Sequence, residues 1–360
     1  MRRHILALCV VSAAAMMPPL CLNGIWLEVP FGAVEQGETM PHVMCGRTPA
    51  CVVHTHLSRA RCASRPNDED WPGGVGATQA GAFGQLLYEL RNKTLVFIGD
   101  SITEGIIDWM ECDSHREGIR SIRIDDTERG SGRGKIDLHV RQLRDPEFQA
   151  RTAQFWEAWF TASWGNQGQP LPMDTRVLAF PDTQTLLVFT KVHRFVESRV
   201  ATLLTLGDVF VVNYGLHYDT TNFTAYAEDM QRLATLAAGR RVLFRETSAQ
   251  HFPGTGSYST WEQAHTAGKP CVCSPSPGGT NAVQRFNTIA HNVFAEVLPW
   301  YDYTNRQHAL HEEDYCAYET PLKRAQGCCD CSHFCYAPHM STYATSALVQ
   351  HLRGPAPRAT

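Results

Sequence analysis

The chain has 360 residues, 43% hydrophobic and 19% charged, and its 32 basic against 36 acidic side chains give a formal net charge of −4. That balance excludes a protein that grips nucleic acid by charge. A chain this long can bury about 75% of its unfolded surface. Its aromatic content of 10% excludes intrinsic disorder.

In chain order, Arg2 and Arg3 precede an apolar run from Ile5 to Met17, in which Ala13, Ala14 and Ala15 offer small residues to a signal peptidase. The run is shorter than the roughly 20 residues a bilayer span needs, so the expectation is a signal peptide over residues 1–15, with a signal anchor as the alternative. No later segment reads as a membrane helix, and none reads as a repeat. Cleavage near Ala15 would remove Cys9 from the thirteen cysteines and leave an even number for disulfides in an oxidising compartment. The sequons Asn92-Lys93-Thr94 and Asn222-Phe223-Thr224 fit the same secretory route, to the Golgi lumen or the cell exterior.

Residues 16–84 are rich in Gly, Pro and Cys, including Cys21, Cys45, Cys51 and Cys62, and lack sustained periodicity. They read as a loop-rich, disulfide-stapled segment packed on a catalytic domain over 85–354. In that domain Thr94–Ile98 is a strand, followed at once by Gly99-Asp100-Ser101 and then by helical spacing at Ile106, Ile107 and Met110. Leu186–Val192, Val209–Val212 and Val242–Phe244 read as further strands. Phe223–Ala238 reads as an amphipathic helix, and so does the series Val283, Phe286, Ala290, Val293, Phe294 and Val297. Trp300–Tyr303 reads as a short strand. Continuous apolar strands alternating with helices predict an α/β fold with a parallel sheet covered on both faces. Ligands of such sheets bind beyond the carboxyl ends of the strands.

Ser101 follows a strand and opens a helix, which aims its hydroxyl at that edge beside helix N-terminal amides able to hold an oxyanion. The plainer reading of Ser101 is a helix cap. A serine nucleophile needs a base, and Asp330-Cys331-Ser332-His333 sets a carboxylate three residues before an imidazole; Asp330 holding Nδ1 would leave Nε2 of His333 for Ser101. Asn213, at a strand end, offers a side-chain amide as an oxyanion donor, or serves as a turn residue. His217 and His251 also lie just past strand ends, where they either touch substrate or pack. Cys316, Cys328, Cys329, Cys331 and Cys335 with His333 raise the alternative of a zinc site, which would take His333 away from Ser101. The secretory reading favours disulfides there, with no metal and no cofactor.

Five blocks follow one another along the chain: Cys21-Leu22-Asn23-Gly24-Ile25-Trp26; Leu90-Arg91-Asn92-Lys93 leading into Val96-Phe97-Ile98-Gly99-Asp100-Ser101; Val211-Val212-Asn213-Tyr214-Gly215-Leu216-His217; Phe244-Arg245-Glu246-Thr247-Ser248-Ala249-Gln250-His251-Phe252; and Asp330-Cys331-Ser332-His333-Phe334-Cys335. In this order they resemble the SGNH (GDSL-type) hydrolases, and within them the PC-esterase group with the trichome birefringence-like polysaccharide O-acetyltransferases. The resemblance implies a three-layer α/β/α fold and a Ser101, Asp330, His333 triad. It also implies an oxyanion and substrate site that includes Asn213, Gly215, His217, Arg245 and His251. The expected partners are an acylated polysaccharide or oligosaccharide and an acyl donor. Ile102-Thr103-Glu104-Gly105 after the serine looks more like general SGNH hydrolases than the plant transferases, so esterase and transferase both stand. A noncatalytic carbohydrate-binding protein on the same fold is the reading from another class.

Overall fold

The computed structural model describes residues 20–22, 25–27, 81–125, 140–165, 175–220, 222–252, 273–275, 281–313, 330–334 and 338–354. The expected signal peptide and Cys45, Cys51, Cys62, Cys316, Cys328, Cys329 and Cys335 lie outside the described residues. Within the cysteine-rich segment two strands, β1 (Leu20–Leu22) and β2 (Ile25–Leu27), pair antiparallel with Cys21 opposite Trp26. The sequence points to loop there. The first helix is α1 (Ala82–Glu89), so the expected boundary between residues 84 and 85 falls inside it. Gly81 precedes α1 without a capping side chain, and Glu117 supplies the cap from a distance by accepting the Phe83 and Gly84 amides at 3.2 and 2.9 Å.

The chain continues through β3 (Thr94–Gly99), α2 (Ser101–Arg116), β4 (Ile122–Asp125), α3 (Pro146–Gly165), β5 (Thr175–Phe180), β6 (Thr185–Lys191), α4 (Glu197–Leu203) and β7 (Val209–Val212). It ends with α5 (Phe223–Leu236), β8 (Arg241–Arg245), α6 (Ala282–Val293), β9 (Val297–Leu298), α7 (Tyr301–Thr304), β10 (His311–Glu313), β11 (Asp330–Phe334) and α8 (Pro338–Arg353). Asn222 caps α5 by accepting the Ala225 amide, and Asn281 with Gln284 forms a reciprocal capping box at α6.

Seven strands form one sheet in the order β4-β5-β6-β3-β7-β8-β9. From β6 to β9 neighbours run parallel, whereas β5 is antiparallel to both β4 and β6. The expected parallel sheet is therefore mixed at one side. The cause is the short turn Pro181–Gln184: a connection this brief can join only antiparallel strands, since parallel ones need a crossover of a dozen or more residues.

Every residue of β3 is buried, and its side chains divide by parity between two cores. Val96 and Ile98 pack toward Phe155, Val200, Met230 and Phe286 from α3, α4, α5 and α6. Leu95 and Phe97 pack toward Leu86, Met110 and Leu348 from α1, α2 and α8. Helices thus cover both faces, as the unbroken apolar strands require.

Two local expectations are corrected. Trp300–Tyr303 turns as the start of α7 rather than extending as a strand, because Glu246 after β8 accepts the Trp300 and Tyr301 amides at 2.7 and 2.8 Å and so caps a helix there. Val297, expected on the preceding helix, pairs instead with Phe244 in β9. Among the described residues no helix is long and apolar enough to cross a membrane.

Candidate active site

Ser101 stands at the carboxyl end of β3, near the middle of the sheet, as the first residue of α2. The cap of that helix is Asp100, not Ser101: its Oδ1 accepts the Ile102 and Thr103 amides at 3.0 and 3.3 Å, while its backbone carbonyl takes the Glu104 amide. This frees the serine hydroxyl. Gly99 lets the turn close, since a Cβ there would lie 2.2 Å from Thr103 Oγ1.

Across 232 residues of sequence, Ser101 Oγ meets His333 Nε2 at 2.7 Å. His333 arrives on β11, which pairs with β10 outside the main sheet. In β10–β11, His311 faces Phe334 and Glu313 faces Asp330, so two steps along β10 match four along β11. That irregularity breaks the simple alternation that would put residues three apart on opposite faces. The backbone of Asp330 opens β11; its side chain lies outside the described residues.

The remaining predicted residues sort into one at the rim and four in the interior. His217 is exposed and stacks on His193, ring centroids 4.2 Å apart and planes 24° apart. Desolvation lowers the His217 pKa and the His193, Arg194 and His333 charges add to the effect, while Asp100 opposes it. Those neighbours place it beside the Ser101–His333 pair. Asn213 is buried and continues the sheet by donating its amide to the Ile98 carbonyl. Its Nδ2 donates to the Arg245 carbonyl at 2.8 Å and meets Thr247 Oγ1 at 3.3 Å. In this conformation both amide hydrogens face protein partners, the second over the longer distance.

Gly215 has a packing role: a Cβ on it would lie 2.2 Å from Thr247 Oγ1, so its smallness lets the loops after β7 and β8 touch. Arg245, expected to bind substrate, is buried beneath Ser101. It donates to Thr103 Oγ1 at 3.0 Å and to the Glu246 carbonyl at 3.1 Å, with Trp300 alongside. Burial brings its pKa down to about 10, against the opposing charges of Asp100 and then Glu246, so it remains a cation at neutral pH. His251 is fully buried as well. Its Nδ1 lies 2.6 Å from His311 Nε2 and its Nε2 lies 3.1 Å from the Asn305 carbonyl. Burial, with a smaller push from His308, lowers its pKa to about 4 although the Asn305 carbonyl resists.

Side chains that the sequence reading passes over hold this interior together. Thr247 donates to the Tyr214 carbonyl at 3.0 Å, and Asn287 of α6 clasps Thr247 by accepting its amide and donating to its carbonyl. Gln250 donates to Ser332 Oγ at 2.7 Å, next to His333. Asn, Gln and His are too common for any of these partnerships to stand out locally. On the β6 side, Glu104 receives Lys191 at 2.9 Å and also Arg176, which reaches Asp108 too, forming a charged border to the site.

Cys331 is bonded to Cys273, an oxidised pair that removes one thiolate from the zinc alternative. His333, for its part, directs Nε2 at Ser101. No protein-family model matches the chain, and no curated protein matches it in sequence.

Proposed function

We propose that the chain is a serine acyl-ester enzyme of the SGNH type, of the PC-esterase group, acting on O-acylated carbohydrate in the secretory route as acetylesterase or O-acetyltransferase. The observation that carries this reading is the 2.7 Å contact between Ser101 Oγ and His333 Nε2 at the carboxyl edge of the sheet. A serine capping its helix would have no use for that partner, and the capping is done by Asp100. The carbohydrate substrate rests on the resemblance of the five sequence blocks. The secretory route rests on the apolar leader, on the disulfide and on sequon asparagines, Asn92 and Asn222, that are both exposed.

In the mechanism, His333 Nε2 takes the Ser101 proton as Oγ attacks the ester carbonyl, and Asp330 keeps the second ring proton on Nδ1. The tetrahedral oxyanion is held by the Ser101 amide and Asn213. One Asn213 amide hydrogen is committed to the Arg245 carbonyl, while the other makes only the 3.3 Å contact to Thr247, long for such a bond, and is the one the oxyanion recruits. Collapse expels the sugar hydroxyl with the proton from His333 and leaves an acyl-serine. The same imidazole then activates water or an acceptor hydroxyl to release the acyl group.

The test is intact-mass analysis of folded protein after a fluorophosphonate probe. A single adduct at Ser101 is expected, abolished in Ser101→Ala and slowed about 1,000-fold or more in His333→Ala, the scale at which triad members act. Asn213→Ala should turn over an aryl acetate roughly 100-fold more slowly. No adduct on folded wild type overturns the reading.

A further inference from the structure

The base of the proposed pair is held by a second pair of imidazoles. His311 Nδ1 lies 2.8 Å from the backbone carbonyl of His333, and His311 Nε2 lies 2.6 Å from His251 Nδ1, whose ring ends on the Asn305 carbonyl at 3.1 Å. Both rings are fully buried, and Phe334 packs on His311 with centroids 4.1 Å apart and planes tilted by 31°.

The protons can be counted. Two neutral imidazoles carry two ring protons, but the row carbonyl, ring, ring, carbonyl contains three close contacts. One contact must therefore lack a proton as long as the pair is uncharged. It is not the ring-to-ring contact, since two nitrogen lone pairs do not meet at 2.6 Å. Of the two carbonyl contacts the Asn305 one is longer, at 3.1 against 2.8 Å, so the proton sits at the His333 end. This gives a directed row: His251 Nδ1–H donates to His311 Nε2, and His311 Nδ1–H donates to the His333 carbonyl. The low pKa of His251 agrees with that ring being uncharged.

The geometry points to His311 as a positioning residue for the reaction, its Nδ1–H fixing the His333 main chain and hence the distance from Nε2 to Ser101, with His251 setting the tautomer that makes this possible. The inference rests on His333 being the base. It goes beyond that reading by assigning a role to a histidine that takes no part in the acyl transfer. β11 lies outside the main sheet; besides its pairing with β10, its described ties include the His251 amide to the Cys331 carbonyl, Gln250 to Ser332 and the disulfide, each of which engages a residue other than His333.

Two substitutions separate the two ends of the His311 ring. In His311→Asn the side-chain amide nitrogen falls near the place of Nδ1 and can still donate to the His333 carbonyl, while the partner of His251 is lost. In His311→Gln the amide group falls near Nε2 and can still accept from His251, while the donor to His333 is lost. The measurement is the fluorophosphonate labelling of the whole chain, resolved into its maximal rate and its half-saturating probe concentration, with the thermal midpoint of each variant alongside. His311→Gln is expected to lower the maximal rate about 10- to 100-fold at an unchanged half-saturating concentration, the range that a small misplacement of a reacting group produces. His311→Asn should restore the rate to within a few-fold of wild type even though its midpoint falls further, because it leaves the buried His251 unpaired. A purely structural His311 would make rate and midpoint fall together in both variants, and that result, or equal rates in all three proteins, overturns the inference. An unlabelled wild type overturns the serine mechanism and this inference with it. A labelled wild type with equal variants overturns this inference alone.

Discussion

The proposed nucleophile and its proposed base are held by different means. Ser101 is fixed by main-chain structure: β3 is hydrogen-bonded to β6 on one side and β7 on the other, all of it is buried, and α2 starts at the serine itself. His333 rides on a two-stranded ribbon outside that sheet, and besides its pairing with β10 that ribbon is tied by side chains, among them His311, Gln250 and the Cys273–Cys331 bond. A sheet interior moves only by unfolding, whereas a ribbon tied by a few side chains can shift while the rest stands. Damage near Ser101 should therefore appear first as lost stability, and damage around β11 first as lost reactivity.

The largest test breaks the disulfide. Cys273→Ser should cost about 2 to 4 kcal/mol, from freeing a loop with a sequence separation of 58 residues, and should slow Ser101 labelling by more than the unfolded fraction explains. Labelling at the wild-type rate on folded molecules would make the two regions alike.

The next test uses pH. The His251 pKa lies at about 4 in the folded protein against an ordinary 6.5, so the unfolded chain binds the proton more readily. The contribution of His251 is then complete above pH 6.5 and is lost as pH falls toward 4, by on the order of 2 to 3 kcal/mol. Thermal midpoints of wild type and His251→Asn, followed from pH 7 to 4, should show a slope in the first that flattens in the second. Parallel curves would remove His251 from the acid response.

The smallest test is on the nucleophile side. Gly99→Ala sets a Cβ 2.2 Å from Thr103 Oγ1 and should cost roughly 1 to 3 kcal/mol. If the comparison holds, labelling of the remaining folded protein falls only modestly. A large loss of rate with stability intact would reverse it.

The same division governs what could be read in the sequence. Apolar runs such as Thr94–Ile98 and Val209–Val212 carry their strand signal locally, and the serine after the first of them is legible from position alone. Asp330 to His333 is legible as a spacing. Partnerships across the chain are not. The turn at Pro181–Gln184 makes β5 antiparallel, but apolar periodicity yields strands without their neighbours. Glu246 turns Trp300–Tyr303 into a helix start from some fifty residues away, and nothing within those aromatics announces it. Arg245 reads as a site residue through the family resemblance, and His251 also because polar groups past strand ends commonly are. The fold instead buries both and uses them as internal ties, one below Ser101 and one behind His333. His311 has no local signal at all among sixteen histidines.

The 232 residues between the two reacting groups also set a timetable. At a synthesis rate of about 5 to 20 residues per second, Ser101 emerges roughly ten seconds or more before His333 does. During that interval the strand and helix that carry the serine can form, yet its hydroxyl has no proton acceptor. On the proposed mechanism the nascent chain carries no activated serine until the β10–β11 ribbon docks.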